Sequence, residues 1–176
     1  MGRPYQILLP LLSLFLVRVD LTDLYPLKLP VKVLKVYDGD TVLVAHGNYQ
    51  FKVRLLKIDS PEKRQPYLNN KGDAGLSSTQ CLQRLAPVHS KQELWIIKED
   101  IYGRILGELK GISLKLIEMG CTTLYPHAEF SSVREKYQYL RALKKAKAHR
   151  VGLWESGGIR QPKLWRKSSK RISRRQ

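Results

Sequence analysis

The feature that most constrains the fold is the alternation of apolar and polar residues between Lys28 and Ile58. β-Branched residues are frequent there, and a period of two is typical of strands that bury one face. The turn signals Asp38-Gly39 and Gly47-Asn48 divide the segment, and such dipeptides commonly join antiparallel strands. The segment therefore predicts a three-stranded meander, with strands over 31–36, 41–45 and 49–58.

The rest of the chain predicts two further strands and three helices. The polar stretch over 63–75 predicts a mobile loop, and the residues after it predict a short helix over about 76–85. Apolar runs over 94–97 and 105–109 flank a turn and predict two more strands. A second helix ends at Gly120, where a left-handed C-cap is expected.

The third helix has the clearest signature. Ser132 and Glu135 have the spacing of a capping box at its start. Apolar residues then recur at helical spacing, and we expect them to form the buried face: Val133, Tyr137, Leu140, Leu143 and Ala146. The opposite face is cationic, which a solvated surface explains: Arg134, Lys136, Arg141, Lys144, Lys145 and Lys147.

The charge balance points to a polyanionic partner. The chain of 176 residues contains 32 Lys plus Arg against 15 Asp plus Glu, a net charge of +17. Nucleic acid is the first candidate and an anionic membrane surface the second. The end of the chain, 156–176, contains eight of these cations and predicts a disordered basic tail. Without it the net charge is still +9, so we expect a basic domain over 27–155.

The two ends and the two cysteines leave alternatives open. The apolar run 7–17, inside the segment 1–26, is too short for the ~20 residues of a membrane span but suits a secretory signal. We expect this segment to direct export, and transient association of the segment with a membrane is a variant of that interpretation. The alternative is an apolar N-terminal segment that packs on the core. Cys81 and Cys121 lack the spacing of a zinc site. They are either small buried residues or a single disulfide.

Three turns contain more charge than turns need. Asp40 follows the first turn signal, and Asp59 and Glu62 flank Pro61 after the third strand. A meander brings Asp40 and the end of the third strand to the same edge of the sheet, provided that the strand bends before Asp59. Two carboxylates plus a main-chain carbonyl are a hard oxygen site that suits Ca²⁺ or Mg²⁺. The third turn runs from Asp100 to Arg104. Arg54 and Arg104 offer planar forks for phosphate oxygens.

Four motifs, in this order, resemble those of the staphylococcal nuclease (thermonuclease) family. They are Asp38-Gly39-Asp40-Thr41, Arg54-Leu55-Leu56, Ile58-Asp59-Ser60-Pro61-Glu62 and Tyr102-Gly103-Arg104. Gly152-Leu153-Trp154 is similar to the C-terminal end of the family domain. The resemblance covers roughly 28–154 and implies an α+β fold, an OB-like five-stranded β-barrel with three helices.

The resemblance also implies a role for each matching residue. Asp40 and Asp59 would be carboxylate ligands of Ca²⁺, Ser60 a ligand through its main-chain carbonyl, and Asp38 an acid behind them. Glu62 would be the general base, while Arg54 and Arg104 would bind phosphate. The substrate-contacting tyrosines would be Tyr102 and Tyr125.

The function so implied is a calcium-dependent nuclease that hydrolyses DNA and RNA with low sequence specificity and leaves 3′-phosphate ends. No obligate protein partner is indicated. The alternative is a non-catalytic OB-fold protein that coats single strands. A protein of the membrane surface is a second alternative, but it leaves the three acidic and basic turns unexplained.

Overall fold

The computed structural model describes residues 27–166, and they form a closed β-barrel with three helices. The order of strands around the barrel is β1-β2-β3-β6-β5, and β4 and β7 form a separate two-stranded sheet. This confirms the OB-like α+β fold. The elements are β1 Leu27–Asp38, β2 Thr41–His46, β3 Tyr49–Leu55, β4 Ile58–Asp59, α1 Ala74–Leu85, β5 Lys91–Glu99, β6 Ile105–Leu109, α2 Ile112–Glu118, β7 Thr123–Leu124 and α3 Val133–Ala148.

The predicted meander is present as β1, β2 and β3, which pair antiparallel in chain order. The barrel closes because β3 pairs parallel with β6 while β5 pairs with both β6 and β1. Alternate residues fill the interior, and several of these side chains have no exposed surface: Val33, Val42, Val44, Val53 and Leu94. Residues of opposite parity, Arg54 among them, therefore lie on the outer face of the barrel.

The third strand is shorter than predicted. It ends at Leu55, and Lys57 has a left-handed φ of 67° that breaks the strand before Ile58. Ile58 and Asp59 then pair with Leu124 and Thr123 of β7 instead of continuing the barrel. The bend that the convergence of the acids required is therefore made at Lys57, where the chain leaves the barrel surface.

The first helix is tied to the region after the second by a disulfide. Asp73 caps α1 by accepting a 2.9 Å hydrogen bond from the Leu76 N–H, so this helix starts earlier than predicted. Cys81 in α1 is bonded to Cys121, which resolves the alternative left open by the sequence. The covalent link joins α1 to the segment after α2, and the two helices contact each other.

In α3 the predicted cap is confirmed, and the predicted core face is wrong at three of its five positions. The Ser132 hydroxyl accepts a 3.1 Å hydrogen bond from the Glu135 N–H. However, Val133, Tyr137 and Leu140 are exposed, Val133 by 86%. Ala146 is buried as predicted and Leu143 is partly covered, but the helix also buries Tyr139 and Ala142, which were not predicted. The Tyr139 ring packs on Phe130, with 5.4 Å between the ring centroids, and anchors this face. The two small alanines let the helix approach the core closely.

Part of the predicted basic tail lies within the described residues. Residues 157–166 pack on the loop that follows β4 and include a helical turn over 162–166. The remainder of that segment and the predicted signal at 1–26 lie outside the described residues. Between Leu27 and Arg166, no helix is long and apolar enough to span a membrane.

Candidate active site

Asp40 and Asp59 converge on the guanidinium of Arg54 at the rim of the barrel. Arg54 Nη1 lies 2.6 Å from Asp40 Oδ2, and Nη2 lies 3.4 Å from Asp59 Oδ1. Arg54 Nη2 also donates to the Ile58 carbonyl at 3.2 Å, which fixes the bend before Asp59. Asp40 in the turn between β1 and β2 therefore meets Arg54 of β3 and Asp59 of β4, and the two acids converge as the sequence predicted.

The turn around Asp40 holds its carboxylate in place through short local bonds. The Asp38 carboxylate accepts the Asp40 N–H at 3.1 Å, and the Thr41 hydroxyl donates to Asp40 Oδ1 at 3.0 Å. Asp40 Oδ2 also accepts the Ser60 N–H at 2.8 Å, which joins the first turn to the second. Asp38 and Ser60 therefore lie beside the two acids, where they were expected.

Gly39 is required because α1 packs against this turn. A Cβ at Gly39 would lie 1.9 Å from the Ser78 hydroxyl oxygen and 2.8 Å from the Ser60 Cβ. Contacts that short are impossible, so only glycine lets the turn approach the helix. The helix thus supports the back of the Asp40 turn, opposite the side that faces Arg54.

Burial sets the electrostatics of these acids. Asp40 and Asp59 are only 5% and 2% exposed. Burial raises the pKa of Asp59, while the positive charges of Arg166 and Arg54 act in the opposite direction. Burial, together with the negative charge of Asp40, raises the pKa of Asp38 to about 6. The site is a desolvated concentration of negative charge that needs cations beside it.

Glu62 is more exposed than the two aspartates and pairs with a residue from the end of the chain. Its carboxylate forms an ion pair with Arg166, whose Nη1 also lies 3.6 Å from Asp59 Oδ1. The Glu62 N–H donates to Gln65 Oε1 at 3.0 Å. Glu62 is therefore next to Asp59 and open to solvent on one side, with 36% of its side chain exposed.

Arg104 lies on a neighbouring strand end, on the same outer face of the barrel as Arg54. The register pairs Arg54 with Leu106, so Arg104 is two residues away along that face, about 7 Å in a strand. In the described structure Arg104 pairs with Asp100, at 2.8 Å through Nε and 2.7 Å through Nη2. Asp100 also accepts the Arg104 and Tyr102 N–H groups, at 3.0 and 2.9 Å, so it organises the whole hairpin.

The two predicted substrate tyrosines occupy different surroundings. Tyr102 is at the tip of the hairpin with 76% of its surface exposed. Tyr125 follows β7, and its N–H donates to the Lys57 carbonyl at 2.9 Å, which places it across from the bend that leads to Asp59. Its ring makes an edge contact with His127 at 5.7 Å. Both are available at the surface near the strand ends that carry the acids and arginines.

The donor set is compatible with a hard divalent cation. Asp40 and Asp59 present carboxylate oxygens from two connected turns, and the buried Ser60 main chain lies between them. Oxygen donors of this kind match the preference of Ca²⁺ or Mg²⁺. Within residues 27–166, however, no group of three or more His, Cys, Asp or Glu side chains has the arrangement of a metal site. Arginines fill the space between the acids.

Sequence reasoning missed Arg166 and Gln65. Gln65 is completely buried, and its Nε2 donates to the Arg160 carbonyl at 2.6 Å while its Oε1 accepts from Glu62. Arg166 was one cation among eight in the basic C-terminal segment, and nothing in its spacing distinguishes it from the others. A buried glutamine in a polar loop likewise has no sequence signal.

Comparison with known proteins agrees with the motifs and the barrel. The family of staphylococcal nuclease homologues matches residues 52–156. A micrococcal nuclease of Shigella flexneri is 27% identical over 154 residues, which cover 79% of this chain and 81% of that protein. An uncharacterized endonuclease of Haemophilus influenzae is 31% identical over 166 residues, 91% of this chain and 85% of that protein. The chain therefore belongs to the staphylococcal nuclease family.

Proposed function

We propose that this protein is a calcium-dependent endonuclease that hydrolyses DNA and RNA with low sequence specificity and leaves 3′-phosphate ends. The observation that carries the proposal is the meeting of two buried aspartates on the Arg54 guanidinium, with Glu62 beside them. Phosphodiester hydrolysis needs neutralisation of phosphate charge and a base for the attacking water. The rim of this barrel has groups suited to both tasks.

Asp40, Asp59 and the Ser60 carbonyl are the groups that would hold Ca²⁺. When bound, the ion would supply Lewis-acid polarisation of a phosphate oxygen. Hydrogen bonds from Thr41 and Ser60 hold the Asp40 carboxylate in one orientation before any ion arrives. The network thereby reduces the ordering that binding would require.

Glu62, Arg54 and Arg104 would perform the remaining chemistry. Glu62 is more exposed than Asp40 and Asp59 and would take a proton from the attacking water. Arg54 and Arg104 would stabilise the charge that develops on the phosphate, a role worth roughly 3–4 kcal/mol per donor. Tyr102 and Tyr125 would contact the substrate from the two surface segments that flank them.

The outer face of the barrel adds support for a nucleic-acid substrate. Lys35 and Lys52 both lie over the Tyr37 ring, with their Nζ atoms 5.1 and 4.6 Å from the ring centroid. Lys52 is two residues before Arg54 in the same strand and therefore on the same face. Cations and an aromatic ring beside the site suit phosphates and a base, and contacts mainly to phosphate give little sequence selectivity.

The direct test is incubation of the full-length protein with plasmid DNA and with RNA in Ca²⁺, in Mg²⁺ and in chelator. Cleavage that requires the cation, with 3′-phosphate ends on the products, is expected. Binding without cleavage under all conditions would instead favour the non-catalytic OB-fold alternative. That alternative gives no use for Asp40 and Asp59, which would repel phosphate in the absence of a cation.

The role of Glu62 is tested by Glu62→Gln, with Glu118→Gln, on the exposed end of α2, as a matched control. We expect Glu62→Gln to lose most cleavage while calorimetry shows retained Ca²⁺ binding, since the amide cannot accept the proton. Glu118→Gln should cleave like wild type. Wild-type nicking by Glu62→Gln would remove Glu62 from the role of base.

We also propose that the protein is exported. The support is the disulfide Cys81–Cys121, since disulfides persist mainly in oxidising compartments, together with the apolar run 7–17. The bond closes a loop over a sequence separation of 40, and a crosslink of that span stabilises a fold by about 4 kcal/mol. Fractionation of expressing cells with thiol alkylation tests this: retained protein with two free thiols would contradict export.

A further inference from the structure

We propose that Arg166 is a further phosphate-binding arginine of the active site, supplied by a C-terminal arm that folds back onto the loop of Glu62. The arm is residues 157–166, and it lies beyond the part of the chain that matches the family, 52–156. The inference rests on the proposed nuclease function. It adds a residue that neither the motifs nor the family match includes.

The arm is held against the site by specific contacts. The Gly158 carbonyl accepts the Leu68 N–H at 3.0 Å. Gly158 has a φ of 95° and packs so tightly that a Cβ there would lie 3.3 Å from the Trp154 ring. These contacts bind the start of the arm both to the loop after Glu62 and to the end of the domain.

Gln65 couples the arm directly to Glu62. Its side chain has no exposed surface and makes one bond to each partner: Nε2 donates to the Arg160 carbonyl, and Oε1 accepts the Glu62 N–H. An amide with both ends satisfied in a buried position fixes the distance between the segments that it joins. The arm and the candidate base are thus parts of one hydrogen-bonded unit.

Arg166 approaches the acids from the solvent side. Its Nη1 contacts the Glu62 carboxylate and lies 3.6 Å from Asp59 Oδ1, whereas Arg54 contacts Asp59 and Asp40. The exposed fraction of the side chain is 40% for Arg166 and 17% for Arg54. Arg54 therefore forms the floor of the site and Arg166 its outer edge, where an entering strand would arrive first.

The chemistry favours exchange of carboxylate for phosphate at this position. A guanidinium fork matches the oxygens of either anion, and a half-exposed ion pair contributes little to stability. A substrate phosphate can therefore displace the Glu62 carboxylate from Arg166 at small cost. The exchange would place one more cation on the substrate and leave the Glu62 carboxylate facing water.

The test measures binding of a labelled single-stranded oligonucleotide to full-length protein in chelator, across a series of salt concentrations. Arg166→Gln is compared with Lys163→Gln, an equal change of charge at an exposed position of the same arm. We expect Arg166→Gln to bind several-fold more weakly at low salt, with a log–log salt slope shallower by about 0.7, the value for one phosphate contact on a single strand. Arg166→Lys should retain part of the affinity, and Lys163→Gln should stay within twofold of wild type.

A second measurement separates binding from structure. Thermal unfolding of Arg166→Gln should match that of Lys163→Gln, and its KM for cleavage should rise more than its kcat falls. Equal affinity and equal slope in the two glutamine variants would overturn the proposal. Tighter binding or faster cleavage by Arg166→Gln would overturn it too, because the arginine would then obstruct the site. If wild-type protein fails to cleave, the nuclease proposal fails while the chelated binding experiment still decides the role of Arg166.

Discussion

Two groups of buried charge lie on either side of the break between β3 and β4, and they are built differently. The Lys57 cluster places one cation between two acids, with Lys57 Nζ in contact with Glu108 and 2.5 Å from Glu135. The rim cluster contains three acids, Asp40, Asp59 and Glu62, and two cations, Arg54 and Arg166. Both clusters connect segments distant in the sequence.

The clusters differ in how they meet solvent. Lys57 is enclosed, because Glu108 is on β6, Glu135 is on the first turn of α3, and the Tyr139 ring lies 5.7 Å from its Nζ. The second oxygen of Glu135 is used as well, since it accepts the Ser131 N–H at 2.7 Å. Every charge in the Lys57 cluster thus has a protein partner and a structural task, which is to fasten α3 to the barrel.

The rim cluster instead opens gradually toward water. Side-chain exposure rises from 3% for Asp59 through 17% for Arg54 to 40% for Arg166. Its inner acids are buried and held, while its outer groups can change partner. Buried charge is therefore not in itself a sign of function; a graded opening to solvent beside it is what a substrate requires.

The largest expected effect is on the rim cluster, from Arg54→Lys. Lysine keeps the charge between Asp40 and Asp59 but cannot present two parallel N–H groups to a phosphate. We expect turnover to fall by a factor of about 10²–10³, with the urea midpoint nearly unchanged. Plasmid nicking and urea unfolding measure the two quantities. Comparable turnover in a folded Lys variant would mean that Arg54 belongs with the structural ion pairs.

Lys57→Met should show the reverse pattern. Removing the ammonium leaves Glu108 and Glu135 without their cation in a largely desolvated position, a loss of about 3 kcal/mol in the free energy of unfolding. The double variant Lys57→Met/Glu108→Gln should recover part of that loss because one uncompensated charge is removed. At a temperature where both variants are folded, kcat should stay within a few-fold of wild type. A large loss of kcat with intact stability would show that the two clusters are not separate.

Asp100→Asn probes an ion pair intermediate between the two clusters. The Asp100 carboxylate accepts hydrogen bonds from the Arg104 side chain and from the Arg104 N–H, yet the pair is at the surface. Loss of the charge should leave the fold intact but free the Arg104 side chain to rotate. Poor orientation of a catalytic group lowers the rate by roughly 10- to 100-fold. Steady-state kinetics of cleavage, with unfolding as the control, measure this. Unchanged kcat/KM would mean that the hairpin does not orient Arg104.

The sequence predicted what depends on short-range patterns. Alternation and turn dipeptides gave β1 to β3, and the motifs gave the acids and arginines, because spacing within a strand fixes which side chains share a face. The bend at Lys57 was required for Asp40 and Asp59 to converge, but no sequence signal marks it, since lysine rarely adopts a positive φ. The face of α3 was wrong in its N-terminal half because Val133 and Tyr137 fit helical spacing as well as Tyr139 does. Packing against Phe130 decides between them.

Long-range partners could not be predicted. Arg166 reaches Glu62 across 104 positions, and Lys57 reaches Glu135 across 78. No local pattern marks either pair, because any lysine or arginine in a basic chain is an equal candidate. The open disulfide question has the same origin: two cysteines can pair only if the packing of α1 and α2 brings them together.

The smallest expected effect is the part of the acid sensitivity that the Lys57 cluster contributes. Burial acts to raise the pKa of Glu135, but hydrogen bonds from Lys57 and Ser131 outweigh it, and the pKa is lowered from 4.5. A carboxylate whose pKa is lowered in the folded state stabilises the fold at pH values above its unfolded-state pKa. This stabilisation is lost as the pH falls through the folded-state pKa. Stability measured by urea in chelator should therefore decline below about pH 4.5, and Glu135→Gln should flatten that part of the curve. Lys57→Met should flatten it as well, because it removes the bond that lowers the pKa, whereas Arg54→Lys should leave it unchanged. If Arg54→Lys flattened the curve instead, the acid response would belong to the rim cluster.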